Sequence, residues 1–151
     1  MFTHKQNSRS EKGQSLVELT ISLSFLIILL LGMVDFGLAF FSWVAIRDAS
    51  QEGAVYGAIY PVDSSGKLNT EIETRVRSVS TTPVKLSDTS RVRVIVTPGS
   101  PACPGMPVEV VVEYDYQTIT PFVSTLSGRS MFTIRAATVN TILTSKLSSC
   151  Q

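Results

Sequence analysis

Across residues 19–46 the only charged side chain is Asp35, and residues 19–34, which include FLIILLLGMV, hold nothing ionisable. A helix needs about 20 residues to cross a bilayer core, so a span starting near Leu16 is sufficient. The stretch reads as a transmembrane helix. Lys5, Arg9 and Lys12 stand just before it, and basic residues are held on the cytoplasmic side. The expected product is a single-pass protein of the cytoplasmic membrane, N-terminus inside and C-terminal domain outside. Against Glu11 those three cations give the first thirteen residues +2 of a total formal charge of +1, so the rest carries −1. No basic field for nucleic acid results. The rival reading is a cleavable secretory signal, but no small-residue cleavage site follows the run and the helical pattern continues beyond it.

That continuation limits the architecture. No proline interrupts residues 35–59, and the helix is expected to stop at Pro61. Ala45, Ala49, Gly53 and Gly57 recur every fourth position and draw a ridge of small side chains on one face, where another backbone can come close. Two covers fit the ridge: the protein's own sheet, which is favoured, or a partner. A helix from about Gln14 to about Tyr60 would be roughly 70 Å long at about 1.5 Å per residue, with about half of it in lipid.

With 151 residues there is room for this anchor and one small domain. After a loop with Pro61, Ser64, Ser65 and Gly66, the spacing of Leu68, Ile72, Val76 and Val79 predicts an amphipathic helix over 68–79. Glu71 with Arg75 and Glu73 with Arg77 are four-apart pairs on its solvated face, and Thr70 with Glu73 fits a capping box. The period then changes to two. In RVRVIVT (91–97) and VEVVVEYDY (108–116) the valines at even positions share a face. One common core requires antiparallel partners with an even residue-number sum, which sets Arg93 opposite Glu113. PGSPACPGMP (98–107) is the connection. Thr120, Pro121 and Gly128 mark the cap, first position and stop of a short helix, and residues 131–143 read as a third strand. The fold class is therefore α+β: a long N-terminal transmembrane helix extending into a small domain with an antiparallel sheet of about three strands and one or two short helices.

Cys103 and Cys150 have no metal-ligand spacing, and the single histidine is His4. Outside the cytoplasm they are free to form a disulfide; otherwise they are two thiols. No Ser/His/Asp set or phosphate-cradling loop is present, so no enzyme, cofactor, metal or small-molecule substrate is expected.

The segment KGQSLVEL (12–19) sets Gly13, preceded by Lys12, five residues ahead of Glu18, at the mouth of the apolar run. It resembles the prepilin cleavage motif of type IV pilins and pseudopilins. The polar, basic residues 1–12 read as a disordered cytoplasmic leader, and the resemblance implies that a prepilin peptidase removes residues 1–13 by cleaving between Gly13 and Gln14. With the patterns above, this divides the rest into a helix of residues 14–60, membrane-spanning in its first half, and an extracytoplasmic domain of residues 61–151. Glycine suits an extended scissile segment because it adds no side chain. Glu18 is costly at the edge of lipid unless paired; the resemblance pairs it with the new amine of Gln14 on a neighbouring subunit, while the simpler alternative is a carboxylate reaching the water layer.

The stretch LLLGMVDFGLAFFSWVAIRDASQEGAVYGA (29–58) is similar to the TadE-like family, small pilin-like proteins of tight-adherence (Tad) pilus systems. Asp35-Phe36-Gly37 matches its acidic-Phe-Gly element, and Gln51-Glu52-Gly53 departs from its Arg-Glu-Gly. The downstream order, with VEVVVEYDY, TPFVSTLSG and a last strand, extends the similarity to about Leu143. This implies a minor pilin or pseudopilin acting in pilus assembly, adhesion or secretion, with other pilins or pseudopilins and the bilayer as partners; the main Tad pilins are much shorter chains. The alternative is an uncleaved, membrane-anchored accessory or adaptor protein of a secretion system. Asp35 lies roughly 25 Å past Glu18 along the helix at about 1.5 Å per residue. It is either an interfacial carboxylate reaching water or an assembly residue paired with a partner's cation.

Overall fold

The computed structural model describes residues 8–60, 67–79, 82–98, 102–145 and 150. The loop expected around residues 61–66 and most of the expected leader lie outside them. The chain runs α1 (Ser8–Ile59), α2 (Lys67–Ser78), β1 (Val92–Pro98), β2 (Pro107–Gln117), α3 (Pro121–Ser127) and β3 (Met131–Thr141). The α+β architecture expected from the sequence is the one observed.

α1 is a helix of 52 residues, roughly 78 Å at about 1.5 Å per residue. It starts at Ser8, not near Gln14, so residues 8–12 are helical where a disordered leader was expected. The reason is local. No proline lies between Ser8 and Gln14, and Gly13 costs only about 1 kcal/mol in a helix interior, too little to break one that continues on both sides. At the other end, Leu143 N–H donates to Ala58 O at 2.8 Å and the Thr144 hydroxyl to Ile59 O at 2.7 Å. Two orphan carbonyls of the last turn are thereby satisfied by the chain leaving β3.

The sheet has the order β1-β2-β3, antiparallel throughout. The β1–β2 register pairs Val92 with Tyr114, Arg93 with Glu113 and Val96 with Val110, the even-sum register required by one common core. Val108, Val110, Val112 and Tyr116 are buried on the inner face of β2, while the Arg93 guanidinium meets Glu113 at 3.3 Å on the outer face. Val111 is the exception, buried on the outer face between Ile95 and Ala137 of the flanking strands.

β2 runs antiparallel to α1. A Cβ placed on Gly57 would stand 3.3 Å from Val108, one on Gly53 would stand 3.2 Å from Val110, and Tyr116 reaches Asp35. The turn carrying α3 therefore lies beside the middle of α1, and the β1–β2 connection lies beside its C-terminal end. α2 closes the other side with Ile72 and Val76, and Val84 and Leu86 fill the space before β1. At about 1.5–3 kcal/mol per fully buried Val, Leu or Ile, this cluster is the main source of the domain's stability.

The charges of α2 are rearranged relative to the sequence expectation. Arg77 holds Glu73 at 2.8 Å, but Arg75 bonds Glu52 of α1 at 2.5 Å in place of Glu71. A tertiary partner within reach of the same guanidinium outcompetes the local one, whose pairing stabilises by only about 0.2–0.5 kcal/mol. Because α2 begins at Lys67, Thr70 lies inside it and its carbonyl accepts from Thr74, so the Thr70–Glu73 capping box does not form.

Candidate functional site

The candidate functional residues fall at four levels along α1. At its start, Gly13 has nothing within 4 Å of the place a Cβ would occupy, and Gln14 Nε2 donates to Glu18 Oε1 at 3.2 Å on an exposed surface. From there through Val34 the large apolar side chains are all exposed, Leu16, Leu26, Leu30 and Met33 each by more than half. α1 is long and apolar enough to cross a membrane. Residues 14–34 cover roughly 32 Å at about 1.5 Å per residue, against a hydrocarbon core of about 30 Å.

Asp35 ends this free segment, and its surroundings are not those of an interfacial carboxylate reaching water. It is 4% exposed. Its Oδ1 accepts from Ile119 N–H at 3.0 Å, its Oδ2 from Thr120 N–H at 3.1 Å and from the Thr120 hydroxyl, and Tyr116 OH lies 3.4 Å from Oδ1. The carboxylate is enclosed by its own chain and does not reach water. Its lone pairs are occupied by donors of its own chain, the arrangement that makes a buried charge tolerable. The clamp also explains Thr120. It precedes α3 as the N-cap with Pro121 in the first turn and Gly128 (φ 67°) as the left-handed stop, yet it makes no side-chain cap bond. Its hydroxyl is committed to Asp35.

Beyond the clamp, the small-residue ridge faces the chain's own domain. Ala49, Gly53 and Gly57 are buried and Ala45 is half-buried against the core. A Cβ on Gly53 would stand 2.5 Å from Val76 Cγ2, and one on Gly57 2.7 Å from Ile72 Cδ1. The buried face is twice as wide as the four-residue repeat suggests, since Ile46, Ser50, Ala54 and Ala58 form a second buried row beside it. Ser50 joins β3 through a 2.7 Å bond with the Thr138 hydroxyl. At the far end Cys103 and Cys150 form a disulfide that ties the C-terminus to the β1–β2 connection. Among the described residues no group of three His, Cys, Asp or Glu side chains is placed to hold a metal.

Residues 13–55 match the family model for TadE-like protein. Over this segment the chain is similar to TadE-like proteins. The match runs from Gly13 through Asp35 and most of the buried ridge, so the similarity lies within α1. It stops at Val55, short of the sheet to which the sequence resemblance extended. No curated protein and no solved structure matches the chain.

The sequence alone missed the donors to Asp35. The available signal was the combination of a lone carboxylate ending an apolar run with a distant Thr-Ile-Thr segment, Thr118 to Thr120, immediately before a proline-initiated helix.

Proposed function

We propose that the chain is a minor pilin or pseudopilin of a Tad-type pilus, made as a precursor. In this reading residues 1–13 are a cytoplasmic leader removed by a prepilin peptidase between Gly13 and Gln14. Residues 14–60 are the anchor and stalk, and residues 61–151 form the domain outside the cytoplasmic membrane. The mature subunit joins or primes a filament with other pilins or pseudopilins of its system, and serves assembly, adhesion or secretion.

The observation that carries the reading is the division of α1 at Asp35. Inward of it lies an uncovered apolar rod with Glu18 near its start; outward of it the same helix is the spine of a disulfide-bonded domain. A disulfide accords with an oxidising compartment on that side. Exposing such a rod to water costs about 25 cal/mol per Å² of apolar surface, so a subunit leaving the bilayer must pass directly into a bundle of similar helices. A contact that does not close on itself extends such a bundle into a filament. Glu18 paired with the Gln14 amine of a neighbour would set register more than it stabilises.

One observation favours the second reading, an uncleaved accessory protein tethered by the same helix. α1 continues without a break from Ser8 through Gly13, so a peptidase that takes an extended segment must first unwind the opening turns. Deleting the chain from its native host separates the two. Surface filaments should be lost and return with the wild-type chain but not with Gly13→Leu. Full rescue by Gly13→Leu supports the uncleaved tether, and normal filaments after deletion refute a role in assembly.

A further inference from the structure

The domain's edge beside Asp35 is apolar and uncovered. Ile119 is 67% exposed although its own N–H is bonded to Asp35, and Met131 and Phe132, at the start of β3, are also exposed. Thr118 N–H bonds Ser130 O at 3.1 Å, which holds the two chain segments bearing these side chains next to each other. Beside them α1 presents Phe36, 73% exposed. Between α1 and the domain a cleft of about 240 Å³ opens at the same level, lined among others by Gly32, Phe36, Val123 and Phe132. Gly32 belongs to the uncovered apolar run, about one helical turn inward of Asp35.

Length decides what covers this edge. Residues 14–34 only just match the hydrocarbon thickness, so no spare helix remains to hold the domain away from the bilayer, and Asp35 fixes the domain against α1 at that point. Resting on the membrane-anchor reading above, we propose that the edge formed by Ile119, Met131 and Phe132 is seated in the outer leaflet of the membrane, with lipid acyl chain filling the cleft against Gly32 and Phe36. The surface is continuous with the lipid-facing side of α1, so lipid reaches it without a second protein. The domain is then a membrane-resting body and not one swinging on a tether, and its departure into a filament requires Ile119 and Phe132 to leave lipid together with the anchor.

The test uses the full chain with its single tryptophan removed (Trp43→Phe) and one reporter restored, in phosphatidylcholine vesicles with or without bromine at mid-depth of the acyl chains. The reporters are Ile119→Trp, Val139→Trp on the exposed outer face of β3, and Leu26→Trp in the anchor. Interfacial elements lie about 5–10 Å into the headgroup–acyl boundary, so Ile119→Trp should shift to the blue and lose about twofold of its emission to bromine. Leu26→Trp should be quenched more, and Val139→Trp not at all. If Ile119→Trp behaves like Val139→Trp while Leu26→Trp is quenched, the seated edge is refuted and the anchor stands. If Leu26→Trp also escapes quenching, the anchor reading fails and this inference with it.

Discussion

The carboxylate of Asp35 accepts both the backbone N–H and the hydroxyl of Thr120, a residue 85 positions away in the chain. This bond joins the end of the uncovered half of α1 to the start of α3, and Ile119 N–H completes it from the same segment. A buried donor that loses its acceptor costs about 1–3 kcal/mol. Asp35→Ala strands two backbone donors, and Asp35→Asn replaces one acceptor oxygen by a donor facing a donor. Both substitutions should lower the thermal stability of the reconstituted chain by an amount in that range and speed hydrogen exchange at Ile119 and Thr120, leaving membrane insertion unchanged. A stable domain with unaltered exchange, combined with a block in assembly, would instead return Asp35 to the role of pairing with a partner's cation.

The glycines of α1 are not equivalent. A methyl group at Gly53 must displace Val76, and overpacking of this kind costs about 1–3 kcal/mol, against about 1 kcal/mol gained in helix propensity. Gly53→Ala should therefore be neutral to destabilising by about 2 kcal/mol, and Gly53→Leu should prevent the domain from closing on the helix. Gly37, with nothing within 4 Å of a Cβ, should accept alanine with a gain of up to about 1 kcal/mol. Thermal unfolding of the two alanine variants checks the difference in sign.

The contrast between the sheet and the clamp shows where sequence reasoning reaches its end. The β1–β2 pairing was legible because two periodic patterns, the alternating valines and the opposed Arg93 and Glu113, require the same parity, and parity leaves few registers. The four-residue repeat from Ala45 to Gly57 was legible as a close-approach face, with the chain's own sheet favoured over a partner as its cover. Asp35 was visible only as a lone charge. Two of its four donors are backbone N–H groups, which every residue but proline possesses, so side-chain pattern alone does not announce the set. The exchange of Glu71 for Glu52 as the partner of Arg75 was hidden for a related reason. The local pair is defined by spacing, whereas the tertiary one depends on how α2 leans on α1.

That Arg75–Glu52 bond should be worth little despite its short distance. Both side chains are about half exposed, and such pairs typically contribute about 0.2–1 kcal/mol. Arg75→Ala should cost no more than that, and the difference from wild type should shrink as salt is raised, because exposed pairs are screened. A larger, salt-independent loss would show that Arg75 acts through packing of its stem.

The disulfide closes a sequence separation of 47, for which bridges of this kind typically contribute about 2–4 kcal/mol. Cys150→Ser should lower the unfolding temperature accordingly and free the C-terminal segment to proteolysis, without moving the Asp35 contacts at the opposite end of the domain. Thiol labelling of the native protein before and after reduction checks the pairing itself: no label should enter until reductant is added.

The central claim is that Gly13 and Gln14 mark the boundary between a discarded leader and a helix that leaves the membrane with its domain attached. Intact-mass measurement of the chain purified from its native membrane tests this most directly. The expected mass is that of residues 14–151 with the Cys103–Cys150 bridge intact. A mass that includes Met1 through Gly13, or a released domain that has lost the anchor helix, would contradict it.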